Sequence, residues 1–155
     1  MVEETSESAR EARVRAAMVE ITSAANRLTR VAARMAGSVE SPALWRTLSV
    51  LTTTGSLRLG TLAAESRVSQ PTMTNLVHTL EEYGWVERVA DADDARVSLI
   101  GVTDAGSHAL EDWRQRLGAA MFPLFADVDD DDLNALTRSA RLILDRIAAE
   151  LTSPE

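Results

Sequence analysis

The residues best suited to chemistry in this chain lie between Ser69 and Leu80, in the run Ser-Gln-Pro-Thr-Met-Thr-Asn-Leu-Val-His-Thr-Leu. Gln70, Thr72, Thr74, Asn75, His78 and Thr79 are polar and, histidine apart, uncharged. Their amides and hydroxyls both donate and accept hydrogen bonds. Arrayed on one surface, they suit the donor-and-acceptor pattern that base edges present in a DNA groove. Asn75 has the geometry to read adenine through two hydrogen bonds; its alternative is a plain surface role. No catalytic chemistry competes. The chain has no cysteine, which excludes disulfides, thiol redox sensing and cysteine-based zinc sites. Two histidines, His78 and His108, are too few for a histidine-rich metal site. There is no glycine-rich phosphate loop and no paired-histidine motif. Neither an enzyme nor a metal or cofactor protein is expected.

A polar array of this kind needs a helix to hold it. Ser69 is a good N-cap, and Pro71 falls in the first turn, where its missing N–H costs little. Met73, Leu76, Val77 and Leu80 recur at helical spacing and share one face, opposite the polar one. Gly84 ends the helix. Ahead of it, Leu59 to Arg67 reads as a short helix with Leu62 and Ala63 inward and Val68 in the following turn. The small Ala63 and Ala64 let a second helix cross closely. Short helix, tight turn and polar-faced helix make a helix-turn-helix. Ser56-Leu57-Arg58 is a short extended piece. Trp85–Val89 and Arg96–Ile100 have strand composition and flank the polar turn Ala90–Ala95, which makes a wing.

Longer helices surround this module. Residues 1–8 are acidic and serine-rich and are expected to fray. From Arg10 to about Gly37, Val14, Met18, Ile21, Ala25, Leu28, Ala32 and Met35 form an apolar seam. A small module cannot cover that seam; another long helix must, from this chain or a second copy. Arg27, Arg30 and Arg34 sit off the seam, either as a solvated face or against an acidic partner or ligand. Pro42 to Thr53 carries Leu44, Trp45, Leu48 and Leu51 at helical spacing. Thr103 caps a helix from Asp104 to about Phe122, with Ala109, Trp113, Leu117, Ala120, Met121 and Leu124 as its stripe, and Pro123 ends or kinks it. The acidic run Asp127–Asp132 lacks the turn glycine of a calcium loop; Asp129 instead caps a last helix, Asp130 to Leu151. The expected fold is mainly α with a small two- to three-stranded antiparallel β wing. Residues 41–103 form the winged helix-turn-helix; residues 1–40 and 104–155 form a helical dimerisation scaffold.

The charge balance is unusual for such a module. Net charge is −8, and all 16 basic residues are arginine. Between Gly55 and Ile100, four arginines (Arg58, Arg67, Arg88, Arg96) face seven carboxylates, a net of three negative charges. Modest DNA affinity with a shallow salt dependence follows. The first thirty residues contain no apolar signal-peptide core. No apolar run approaches ~18 residues, so no membrane partner is expected and the location reads as cytoplasmic.

With its elements in this order, the chain resembles the MarR family of transcriptional regulators. The resemblance is carried by Ser69-Gln70-Pro71-Thr72-Met73-Thr74 with Leu76-Val77 and Leu80, by Gly84-Trp85-Val86-Glu87-Arg88, and by Asp94-Ala95-Arg96 followed by Val102-Thr103-Asp104-Ala105-Gly106. It covers nearly the whole chain. It implies a homodimer, joined through N- and C-terminal helices, that binds a pseudo-palindromic operator in double-stranded DNA, as a repressor. Thr72, Thr74, Asn75 and His78 would face the major groove, and Ser69, Gln70 and Thr79 would bind phosphates. Arg96 would reach the minor groove or its phosphates, oriented by Asp94; Pro71 and Arg88 complete the expected DNA-binding set. Many members carry arginine where this chain has Asn75, and often at Thr79. The resemblance also implies release by a small aromatic or phenolic effector bound between the helical scaffold and the winged module. Met35, Trp45, Leu48, His108 and Trp113 are the candidate lining. A winged-helix protein-interaction module, or an anti-repressor with weak DNA binding, is the competing expectation.

Overall fold

A computed structural model of the chain describes residues 2–37, 40–91 and 97–152. The chain forms two compact units, Met1–Ala120 and Met121–Glu155.

The first unit opens with α1 (Val2–Met35). The helix begins earlier than expected: Val2 to Ala9 are helical rather than frayed. Glu7 is a good helix former, and no glycine or proline interrupts the run. Gly37, at φ +59°, ends it. Ala32 is buried, but Val14, Met18, Ile21, Leu28 and Met35 of the seam remain 36–49% exposed. Next, α2 (Pro42–Thr54) starts at Ser41, whose hydroxyl accepts the Leu44 N–H at 3.3 Å.

The winged module follows as β1 (Leu57–Arg58), α3 (Leu59–Glu65), α4 (Gln70–Glu82), β2 (Val86–Ala90) and β3 (Ser98–Val102). The sheet has three antiparallel strands in the order β1-β3-β2. Leu57 pairs with Ile100, and the β2–β3 hairpin runs from Val86 opposite Val102 to Ala90 opposite Ser98. The extended piece at Leu57 is therefore the third strand. The core gathers Trp45, Leu48 and Leu51 of α2, Leu62 of α3, Met73, Val77 and Leu80 of α4, Ile100 of β3 and Leu110 of α5, all at most 2% exposed. Full burial of each Leu, Met or Val contributes about 1.5–3 kcal/mol.

The last helix of this unit is α5 (Asp104–Met121). The Thr103 hydroxyl accepts the Gly106 N–H at 3.1 Å and donates to the Gly84 carbonyl at 2.7 Å. Its deepest residues are Gly106 and Leu110, whereas the expected stripe of Ala109, Trp113, Leu117 and Ala120 is half-buried. The close approach at Gly106 explains the rotation: a Cβ there would lie 2.1 Å from the Trp85 carbonyl oxygen. That contact turns α5 so that Leu110, one turn on, enters the core.

In the second unit, a 3-10 turn (Phe122–Leu124) containing Pro123 precedes α6 (Asp130–Thr152). Asp129 caps α6, accepting the Asp132 N–H at 2.8 Å. Leu133, Leu136, Leu144 and Ile147 remain 50–64% exposed. No described helix is long and apolar enough to cross a membrane.

Candidate nucleic-acid interface

The polar array is built from the backbone outward. The Ser69 hydroxyl accepts the Thr72 N–H at 3.3 Å and shares a 2.8 Å hydrogen bond with the Thr72 hydroxyl. Buried Met73, Val77 and Leu80 fix the inner face of α4. By the 3.6-residue period Asn75 then lies opposite them, with Pro71, Thr74 and His78 beside it. All four are exposed, and Thr79 at the edge is half-buried.

The hydroxyls are partly committed. Thr74 donates to the Gln70 carbonyl at 3.0 Å and Thr79 to the Asn75 carbonyl at 3.1 Å. Each keeps lone pairs free, so Thr74 is set to accept from a base amino group. Thr79 must rotate its hydroxyl before it can donate to a phosphate. The Gln70 amide nitrogen lies 2.8 Å from where a Cβ on Gly60 would stand. Gln70 thus packs across the start of α3. His78 pairs with Glu82 at 3.5 Å, an exposed contact one turn along α4.

The two helices of the motif end alike. After α4, Gly84 N–H donates to Glu81 at 3.0 Å and Trp85 N–H to Leu80 at 2.9 Å. After α3, Arg67 N–H donates to Ala64 and Val68 N–H to Ala63, both at 3.0 Å. Both patterns place one residue in the left-handed region. At α4 it is Gly84, φ +70°; at α3 it is Arg67, φ +55°. A non-glycine residue there costs about 1–2 kcal/mol. The turn contains no glycine, and that is the sequence signal that could have flagged Arg67.

The wing arginines are tied down. Arg88 donates through Nε to Glu81 at 2.8 Å, and Arg58 donates to Asp91 at 3.2 Å. Sequence reasoning missed both pairs, because in each the partners lie on different segments and meet only in the fold. Asp94 and Arg96 lie outside the described residues.

The candidate effector residues do not all meet. Trp45 and Trp113 stack with ring centroids 5.0 Å apart and planes 9° from parallel, and Trp85 adjoins Trp45 at 5.4 Å. Both stacked rings border a cavity of about 520 Å³ whose walls include Asn26, Thr29, Arg30 and Arg46. Trp113 Nε1 is buried without a hydrogen-bond acceptor from the described residues. Met35 and His108 are exposed, and Leu48 lies wholly inside the core; none of the three borders this cavity. Met35 lies on the open seam of α1. His108 is on the face of α5 turned away from Leu110, and Leu48 is on the face of α2 turned inward. Arg30, an off-seam residue of α1, takes their place in the wall.

A helix-turn-helix backed by a three-stranded wing, with the polar side of its second helix exposed, defines a winged-helix DNA-binding protein. A family model described as the MarR family matches residues 41–98. A helix-turn-helix-type transcriptional regulator of Mycobacterium leprae is 30% identical over 111 residues, which span 70% of this chain and 78% of that protein. Among solved structures, the transcriptional regulator Tm0710 of Thermotoga maritima superposes with a TM-score of 0.67 at 17% identity, over 90% of this chain and 99% of that one. The regulator PcaV of Streptomyces coelicolor, solved with its natural ligand, gives 0.53 at 20% identity, over 78% and 89%. The chain belongs to the MarR family of DNA-binding transcriptional regulators and is not an enzyme.

Proposed function

We propose that the protein represses transcription as a homodimer, each copy laying α4 in the major groove of a pseudo-palindromic operator. The observation that carries this is the outer face of α4, where Asn75 stands exposed among hydroxyls opposite a buried apolar face. Thr72, Thr74, Asn75 and His78 read base edges; Ser69, Gln70 and Thr79 hold phosphates. By the family resemblance, Arg96 and Asp94 add to the DNA contact. The open apolar faces of α1 and of α6 favour pairing with a second copy, with residues 1–40 and 104–155 as the dimerisation scaffold. Two recognition helices set about 34 Å apart would then meet successive major grooves, and the bound dimer would block polymerase.

A small aromatic acid or phenol releases the repressor by filling the cavity beside Trp45 and Trp113. The stacked indoles supply an aromatic wall, Trp113 Nε1 a buried donor, and Arg30 and Arg46 charge for a carboxylate. A ligand that binds only the folded protein raises its melting temperature, so a thermal-shift series of aromatic acids tests this part.

Selection of genomic fragments by the purified protein, followed by sequencing, tests the DNA part. Inverted half-sites about one helical turn apart are expected; absence of enrichment at low salt refutes it. The pairing of Arg58 and Arg88 with carboxylates favours a second reading, a winged-helix module that binds another protein. A mobility shift with Arg96→Ala as control separates the two, because only the DNA reader loses affinity.

A further inference from the structure

We infer that Arg67 is a phosphate-anchoring residue of the DNA face. The inference rests on the DNA-binding reading and adds a residue to it. The winged module carries more carboxylates than arginines. Among its described arginines, Arg58 is held by Asp91 and Arg88 by Glu81. Arg67 is exposed and meets no carboxylate and makes no side-chain hydrogen bond among the described residues. It is the uncommitted cation of the described module.

Its backbone points the same way. Arg67 holds φ +55° at the position where α4, in the same hydrogen-bond pattern, ends on Gly84. Stability alone favours glycine or asparagine there. An arginine in that place gains nothing from the fold that glycine would not give more cheaply. What it does supply is a guanidinium in the turn of the helix-turn-helix, two residues ahead of Ser69. The start of a recognition helix approaches the duplex in this motif, and phosphate contacts there fix register without reading sequence. Arg46 steadies the same turn by donating through Nη1 to the Ser66 carbonyl at 3.1 Å. A guanidinium matches phosphate geometry with two parallel hydrogen bonds.

The test compares the wild type, Arg67→Gly and Arg67→Lys on the genomic fragment that the wild type retains, by anisotropy between about 50 and 200 mM salt. Arg67→Gly is expected to melt at or above the wild-type temperature, because its φ suits glycine. Its plot of log affinity against log salt is expected to flatten by ~0.9 per subunit. At ~0.1 M salt that loss is about eightfold per subunit, relative to binding at ~1 M. Arg67→Lys keeps the charge and is expected to keep the slope. A wild type that binds alongside an Arg67→Gly variant with the same slope and affinity overturns the inference. An Arg67→Gly variant that binds more weakly with an unchanged salt slope overturns it too, since backbone rather than charge would then be responsible. A wild type that retains no fragment is a different failure, that of the DNA reading itself.

Discussion

Glu81→Gln should make this protein bind DNA more tightly, through Arg88. In the free protein the Arg88 Nε donates to Glu81 at 2.8 Å, between side chains 53% and 30% exposed. Exposure of that order screens the pair, which contributes no more than about 1 kcal/mol to folding. Replacing the carboxylate by an amide of the same shape should lower the melting temperature by at most about 2–4 °C. On DNA the sign reverses. To donate to a phosphate, Arg88 must leave Glu81, and that release costs up to the same ~1 kcal/mol, a factor of about five per subunit. The pair also reaches the duplex with no net charge. With glutamine in place the same surface carries one positive charge, and the salt slope should steepen by ~0.9 per subunit.

Anisotropy titrations of a retained operator fragment at several salt concentrations measure both quantities. The Arg88→Ala background supplies the control, as the fourth corner of a double-mutant cycle. If Arg88 is the beneficiary, Glu81→Gln gains nothing once Arg88 is gone. A gain of equal size in both backgrounds would mean that Glu81 acts by repelling the duplex directly. No gain in either would mean that the end of α4 lies away from the phosphates. Either result refutes the reasoning.

Three further outcomes are expected. Gly106→Ala should destabilise the fold by about 2–4 kcal/mol, since a Cβ 2.1 Å from the Trp85 oxygen forces α5 away and strains the hydrogen bonds around Thr103; thermal or urea unfolding checks it. Leu28→Glu puts a charge on the open seam of α1 and should yield a folded monomer; sedimentation that still reports a dimer would remove that helix from the interface. Asn75→Ala should leave non-specific binding unchanged and cost about 1–3 kcal/mol of discrimination at one base pair of each half-site, measured by competition between operator and singly substituted duplexes.

The sequence made the helices of the winged module legible because their signals are local. Ser69, Pro71 and Gly84 bracket α4, and the spacing of Met73, Val77 and Leu80 names its inner face before any tertiary contact is known. The start of α1 is not legible, because an acidic, serine-rich composition suits a frayed end as well as the first turns of a helix. The depth of Leu110 was invisible because the rotation of α5 is set by the Trp85 backbone, which no periodicity encodes. The same holds for the interface: the exposed polar face could be read from α4 alone. The pairing of Arg88 with Glu81 across α4 and β2, and of Arg58 with Asp91, required the fold.

Those pairs bear on how an acidic module can act on DNA at all. Non-specific binding is almost wholly electrostatic, whereas specific binding adds base contacts that charge pairing leaves untouched. Arginines neutralised in advance therefore take a larger share of the binding free energy from loose association along the duplex than from the operator complex. On this reading the acidic residues serve discrimination: the uncharged face of α4 selects, and free cations are limited so that it can. The ratio of operator affinity to random-duplex affinity is the quantity to follow. It should not rise in Glu81→Gln even as both affinities do, because the freed charge helps every sequence alike. A ratio that rises instead would mean that Arg88 contributes to base reading, and the division of labour between α4 and the wing would have to be redrawn.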